Sequence, residues 1–283
     1  MTIADHVANA RRVLEQAGVP PSEAAIDAEV LARTALGWDR AAFVTRRREA
    51  ADPAFEAPYR ALLERRARRE PVAYILGERE FWGLPFEVTR DVLIPRPETE
   101  LIVEEALAAF GGGRPPDAVI DVCTGSGCLA VTLAREFGGA DIIATDISAA
   151  ALEVARRNAQ RHGVAPRIDF RPADLLDGIA VRADLIVSNP PYVARRDAGS
   201  LAPEVRDHEP HVALFAGEDG LDVYRRLLPA ARRRLTRGGK LVLEVGHEQA
   251  DLVAALAEET GFPLEHTRQD LQGITRTMVF GVE

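Results

Sequence analysis

A chain of 283 residues, 47% hydrophobic and 28% charged, has the composition of an ordinary globular protein and the length for one large core plus a smaller one. No apolar run approaches the roughly 20 residues of a membrane span, and a formal net charge of −9 argues against a broad basic footprint for nucleic acid. Cys123 and Cys128 are too few for a disulfide framework and lack zinc spacing, so both are expected to be reduced core residues and no metal is expected. The opening Met1-Thr2-Ile3-Ala4-Asp5 lacks a basic-then-apolar signal pattern, which makes the cytoplasm the expected location.

Residues 1–75 are expected to form an all-helical domain. Thr2 and Asp5 make a capping box, and Ile3, Val7, Ala10 and Leu14 form an apolar stripe that Gly18 and Pro20 end. Ser22 can cap a second helix with Ala25, Ile26, Leu31 and Ala35 as its buried side, closing at Gly37. Asp52-Pro53 is an N-cap followed by proline at the first helical position, opening a helix that runs into Arg65-Arg66-Ala67-Arg68-Arg69. That run is a local positive patch, read as a solvated face interleaved with Glu56, Glu64 and Glu70 in preference to a contact with RNA or a ribosome-bound partner. Residues 76–116 change texture. Glu80-Phe81-Trp82 and Pro85-Phe86-Glu87-Val88 flank Gly83 as a β-hairpin, and Pro95-Arg96-Pro97-Glu98-Thr99-Glu100 opens a helix carrying Leu101, Ile102, Val103, Ala106 and Leu107. Gly111-Gly112-Gly113-Arg114-Pro115-Pro116 reads as a linker.

Over residues 117–283 strands at 118–123, 141–145, 167–171, 183–188 and 239–245 alternate with helices from 128, at 148–161, 220–235 and 247–260, before two last strands near 262–267 and 276–282. Such alternation predicts an α/β, Rossmann-like, mainly parallel sheet covered on both faces, with ligands at the carboxyl ends of its strands.

The first of these strands carries Asp121 and runs into Cys123-Thr124-Gly125-Ser126-Gly127 and an apolar helix, where small residues let the backbone pass close to a ligand. Asp146 closes the next strand, placed to accept both hydroxyls of a ribose, and Asp174-Leu175 follows the third where an adenine amino group could be met. Gly125-Ser126-Gly127-Cys128-Leu129-Ala130 also satisfies GxGxxA, so a dinucleotide dehydrogenase is a formal rival. What separates the two is the fourth strand, which ends in Ser188-Asn189-Pro190-Pro191-Tyr192. Proline stiffens the frame and removes donors, so the Asn189 side-chain carbonyl and the Pro190 main-chain carbonyl can converge on a planar NH2 group. Accepting both N–H bonds aims the nitrogen lone pair at a sulfonium methyl, and Tyr192 can lie against the flat face of the acceptor. No hydride-transferring enzyme has an evident use for that arrangement.

With "REFWGLPFEV" (79–88), "LIPRPETE" (93–100), "DVCTGSG" (121–127), "DLIVSNPPY" (184–192), "EVRDHEP" (204–210) and "GEDGLDVYRRL" (217–227), nearly the whole chain resembles the HemK-type protein glutamine N5-methyltransferases. The resemblance implies transfer from S-adenosylmethionine to the glutamine of the Gly-Gly-Gln motif in peptide chain release factors. It implies cofactor contacts at Cys123, Thr124, Gly125, Ser126, Gly127, Asp146, Leu175 and Asn189, and an amide held by Asn189, Pro190, Pro191 and Tyr192. Cys123 departs from the glycine of many relatives, Leu175 from an aromatic in some. A close relative methylating a ribosomal-protein glutamine shares the "DVCTGSG" turn, and "IPRPETE" favours release factors. A nucleic-acid amino-methyltransferase and a non-catalytic S-adenosylmethionine-binding module are the further rivals, set back by the acidic total and by Asn-Pro-Pro-Tyr respectively. His208 and His211 are expected to be polar surface or recognition residues, and the protein is expected to be a monomer without stable nucleic-acid binding.

Overall fold

The structure, a computed structural model, describes residues 1–282, which divide into two compact units: Met1–Gly77 with Ala202–His208, and Glu78–Leu201 with the residues from Glu209 on.

The first unit is helical: α1 (Ile3–Gln16), α2 (Pro21–Leu36), α3 (Arg40–Arg46), α4 (Pro53–Ala67) and α5 (Val72–Leu76), joined by a short helix from far along the chain, Pro203–His208. The Thr2–Asp5 capping box starts α1, and Asp39 and Asp52 cap α3 and α4 through their side chains. Pro21 occupies the first turn of α2 without a side-chain cap, so Ser22 does not cap it, and Gly37 ends it with a φ of 64°. Ile26 is 64% exposed and not part of the core. The buried arc of α2 is Ala24, Ala28, Leu31 and Ala32, and Ile26, two residues from Ala24, falls on the opposite face. Alanines there let α4 come close enough for the buried Tyr59 hydroxyl to donate to the Ala28 carbonyl at 2.9 Å.

Most of the basic run is not a solvated face: Arg68 is exposed, but Arg65, Arg66 and Arg69 are each held by carboxylates. Arg66 is 2% exposed and donates to Asp27 at 2.7 Å and Glu204 at 2.8 Å. Arg69 grips both oxygens of Glu204, each at 2.7 Å, and Arg65 those of Glu70 at 2.9 and 2.8 Å. Two of the neutralising carboxylates stand at positions 27 and 204, outside any local pattern of charges. Burial alone would raise the Glu204 pKa, but the Arg69 and Arg66 bonds outweigh it and hold it at about 2.

The second unit opens with the hairpin β1 (Glu78–Phe81) and β2 (Leu84–Glu87). Trp82 sits in its turn, not in a strand: φ is 54° at Trp82 and 67° at Gly83, the left-handed pair of a tight hairpin. A 3-10 turn, Pro97–Thr99, leads into α6 (Glu100–Phe110). Then come β3 (Ala118–Val122), α7 (Cys128–Glu136), β4 (Asp141–Asp146), α8 (Ala149–Arg161), β5 (Ile168–Pro172) and β6 (Ala183–Ser188). After α9, the Pro203–His208 helix of the first unit, follow α10 (Asp222–Arg234), β7 (Leu235–Glu244), α11 (Ala250–Glu259), β8 (Leu264–Gln269) and β9 (Thr275–Gly281).

These strands form a seven-stranded sheet ordered β5-β4-β3-β6-β7-β9-β8, parallel from β5 to β7 and antiparallel at β9 and β8. Side chains alternate across it, so Val119, Leu185 and Val187 pack under α6 and α7 with hairpin residues Phe81 and Phe86, while Ile120, Val122 and Ile186 meet Leu227 and Leu228 of α10 and Val253 of α11. β7 begins at Leu235, four residues earlier than expected; the pairing shifts register before Leu185 meets Lys240, and Gly238, with φ 77°, absorbs the irregularity. From β3 the chain winds outward through β4 and β5, then returns to the other side of β3 as β6, placing the switch point between β3 and β6. No helix among the described residues is long and apolar enough to cross a membrane.

Candidate active site

At the carboxyl ends of β3 to β6 lies a cavity of about 250 Å³ within the second unit, lined by Cys123 to Ser126, Asp146, Asp174, Leu175, Asn189 and Pro191. Gly127, Pro190 and Tyr192, also singled out from the sequence, do not line it.

The turn after β3 is built for close backbone approach. The Thr124 N–H donates to the Thr145 carbonyl, and the Gly125 N–H donates to Asp146 Oδ2, both at 2.9 Å. Gly127 is required for packing as well as for its φ of 80°: a Cβ there would stand 2.9 Å from the Ala155 Cβ. Asp121, fully buried, pins turn to helix, because Oδ2 accepts from Thr124 Oγ1 at 2.6 Å and from the Ala130 N–H at 3.0 Å. Its Oδ1 has no partner among the described residues, and burial pushes its pKa up to about 7. Burial also raises the thiol pKa values, that of Cys128 to about 12, which disfavours the thiolate of both.

Asp146 accepts one backbone N–H per oxygen, from Gly125 and from Ser148 at 2.9 Å, which leaves each oxygen a further lone pair. Burial raises its pKa and the backbone bonds oppose the rise. Asp174 is tied by Arg226 of α10 at 2.7 Å. Leu175, left-handed at φ 55°, turns its carbonyl inward to accept from Thr145 Oγ1 at 2.9 Å and offers the cavity an apolar side chain.

At the β6 end, Asn189 Nδ2 donates to Thr99 Oγ1 at 2.9 Å, and Thr99 Oγ1 donates to Glu244 Oε2 at 2.6 Å. The Tyr192 hydroxyl donates to Glu244 Oε1 at 3.2 Å. Glu244 ends β7 at 1% exposure, and burial lifts its pKa to about 7 against the bonds from Thr99 and Tyr192. Burial, then the neighbouring Glu244, keeps Tyr192 a neutral phenol. Thr99 and Glu244 escaped the sequence reading as site residues, although an acid inside the apolar "LVLEV" of β7 was a visible signal. So did Asn158 of α8, whose side chain bonds the backbone of Glu87 twice and the Ser126 carbonyl once. His208 lies in the first unit against the Arg68 carbonyl, and His211 belongs to the second, edge-on to Phe215.

The cavity thus gathers a carboxylate, an apolar side chain and an asparagine amide at the carboxyl ends of adjacent parallel strands. Such a cavity on such a sheet defines an S-adenosylmethionine-dependent methyltransferase. Residues 5–77 match the family model described as PrmC N-terminal domain, and residues 99–205 match methyltransferase small domain. A release factor glutamine methyltransferase of Cereibacter sphaeroides is 45% identical over 98% of this chain and 97% of its own length, and one from Geobacter sulfurreducens is 44% identical over 95% and 92%. A methyltransferase structure from Pyrococcus furiosus shares the fold with a TM-score of 0.55 at 19% identity, covering 77% of this chain and 98% of its own. The chain belongs to the release factor glutamine methyltransferases.

Proposed function

We propose that this protein transfers a methyl group from S-adenosylmethionine to the side-chain amide nitrogen, N5, of the glutamine in the Gly-Gly-Gln motif of peptide chain release factors. Asp146 would hold the ribose hydroxyls, the Cys123–Gly127 turn the amino-acid end, and Asp174 with Leu175 the adenine. The cofactor supplies an electrophilic methyl on sulfur. An amide nitrogen is a poor nucleophile because its lone pair is delocalised. Pro190 is buried and does not line the cavity, so Asn189 Oδ1 is the acceptor that carries the reading: its bond from the amide N–H orients the lone pair towards the methyl and strengthens as charge develops on nitrogen. The N-methylated cation is strongly acidic and loses its proton without a dedicated base.

The observation that carries this reading is the Asn189 amide, whose nitrogen is committed to Thr99 so that its oxygen is the end left for the substrate. The helical unit, with Ile26 and Val44 exposed at 64% and 58%, is the proposed dock for the protein substrate. We further propose a cytoplasmic monomer without stable nucleic-acid binding. A cavity lined by Arg182, Arg232, Arg233, Arg234 and Arg237 at the amino ends of β6 and β7 is where a nucleic-acid partner would register instead.

The deciding experiment incubates the protein with labelled S-adenosylmethionine and, separately, release factor, ribosomal protein, DNA and RNA. Label in the Gly-Gly-Gln glutamine, lost when that glutamine is alanine, is expected; label confined to another acceptor overturns the proposal. Asn189→Ala should lower kcat by about 10²-fold or more, the usual effect of removing a group that acts in the transition state.

A further inference from the structure

The structure assigns Thr99 and Glu244 a positioning role in the methyl-transfer reading above: together they fix which end of the Asn189 amide faces the substrate. An asparagine amide has two ends of nearly equal shape and opposite polarity. Turned the wrong way, its NH2 would meet the NH2 of the acceptor, donor against donor. The choice is made by two buried residues, Thr99 and Glu244. Glu244, ionised, can only accept, and it takes the single hydroxyl proton of Thr99 at 2.6 Å. Thr99 Oγ1 then has no proton left for Asn189, so the 2.9 Å contact between them must be an N–H bond from Asn189, and Oδ1 is directed away from Thr99. Protonated on Oε1, Glu244 keeps this order, since Oε2 still accepts from Thr99 while the proton turns to the Tyr192 hydroxyl; protonated on Oε2, it would donate to Thr99 and release the constraint.

The same carboxylate stakes the other end of the tetrapeptide. Tyr192 reaches Glu244 Oε1 at 3.2 Å, and Gln249 Nε2 donates to the Tyr192 carbonyl at 3.0 Å. Asn189, through Thr99, and Tyr192, directly, are thus tied to the two oxygens of one buried group, with Pro190 and Pro191 as the stiff span between them. Thr99 is part of "IPRPETE", so at least one residue of that motif serves the catalytic amide from within.

Thr99→Val keeps the shape and removes the hydroxyl; Thr99→Ser keeps the hydroxyl. We expect Thr99→Val to lower kcat about 10²-fold with little change in KM for S-adenosylmethionine, and Thr99→Ser to stay within about threefold of wild type. In an Asn189→Ala background Thr99→Val should cost nothing further, because Thr99 acts through Asn189. Equal losses in both backgrounds, or a Ser variant as poor as Val, overturn the assignment. A second readout needs no substrate: in protein labelled with 15N-asparagine, the Asn189 side-chain NH2 signal, identified by its loss in Asn189→Ala, should move towards the free-amide position in Thr99→Val and hold in Thr99→Ser. An unmoved signal in Thr99→Val refutes the Asn189–Thr99 bond even if release-factor methylation stands. A moved signal upholds the bond even if another acceptor proves to be the substrate.

Discussion

Cys123 leaves β3 with a φ of 62°, a left-handed backbone that costs a residue with a Cβ about 1–2 kcal/mol. Glycine escapes that cost but loses more entropy on folding. Cys123→Gly should therefore leave stability within about 1 kcal/mol of wild type, while Cys123→Val, branched at Cβ, should melt clearly lower. Thermal melts giving valine the highest Tm of the three would sink the strain account. Asp146 offers a sharper test at the same scale. It anchors Gly125 and, in our reading, the ribose, and charge-assisted bonds contribute about 1.5–3 kcal/mol each. Asp146→Ala should weaken S-adenosylmethionine binding by about 10²-fold in calorimetry, and an unchanged Kd would remove Asp146 from the site.

Among elements, α8 does more than cover the sheet. Asn158, fully buried, accepts from the Glu87 N–H at 2.7 Å and donates to the Glu87 carbonyl at 3.0 Å and the Ser126 carbonyl at 2.9 Å. One side chain thereby stitches the end of β2 to the glycine turn. Asn158→Ala strands three backbone groups, so we expect a loss of about 2–4 kcal/mol in urea unfolding together with weaker cofactor binding. A variant as stable as wild type would show that the stitch is redundant. The sequence made the turn, Asp146 and the order of strands and helices legible because each is written in local spacing: a strand, a glycine turn, an acid about 20 residues on. The links that organise them were illegible because their partners are distant. Thr99 meets Asn189 across 90 residues and Glu244 across 145, and Arg69 meets Glu204 across 135. Ile26 failed for another reason: hydrophobicity alone placed it inward, whereas close helix packing selected the smaller Ala24 and Ala28.

At the scale of the whole molecule, individual carboxylates respond to pH in opposite directions. Glu244 and Asp121, in the second unit, have pKa values raised by burial to about 7 from 4.5 and 3.8. Each binds its proton more tightly folded than unfolded, so its stabilising contribution is complete below the unfolded pKa and is lost as pH rises through about 7. Asp184 of the same unit works the other way: burial raises its pKa, but bonds from Thr236 and the Asp117 N–H prevail and lower it. The Glu244 effect is therefore best read as a difference. The stability of Glu244→Gln relative to wild type should rise between pH 5 and pH 8, as the wild type loses the benefit of its proton. In the first unit, Glu204 sits at about 2 against an ordinary 4.5, so the Arg66–Arg69 clasp stabilises above pH 4.5 and fades as pH falls towards 2. Hydrogen exchange followed peptide by peptide, corrected for intrinsic rates, should show α4 losing protection between pH 4.5 and 2.5 in wild type. Glu204→Gln should already lack that protection at pH 7 and change little on acidification. If α4 of wild type keeps its protection down to pH 2.5, Arg66 and Arg69 do not depend on Glu204 for their place in the helical unit.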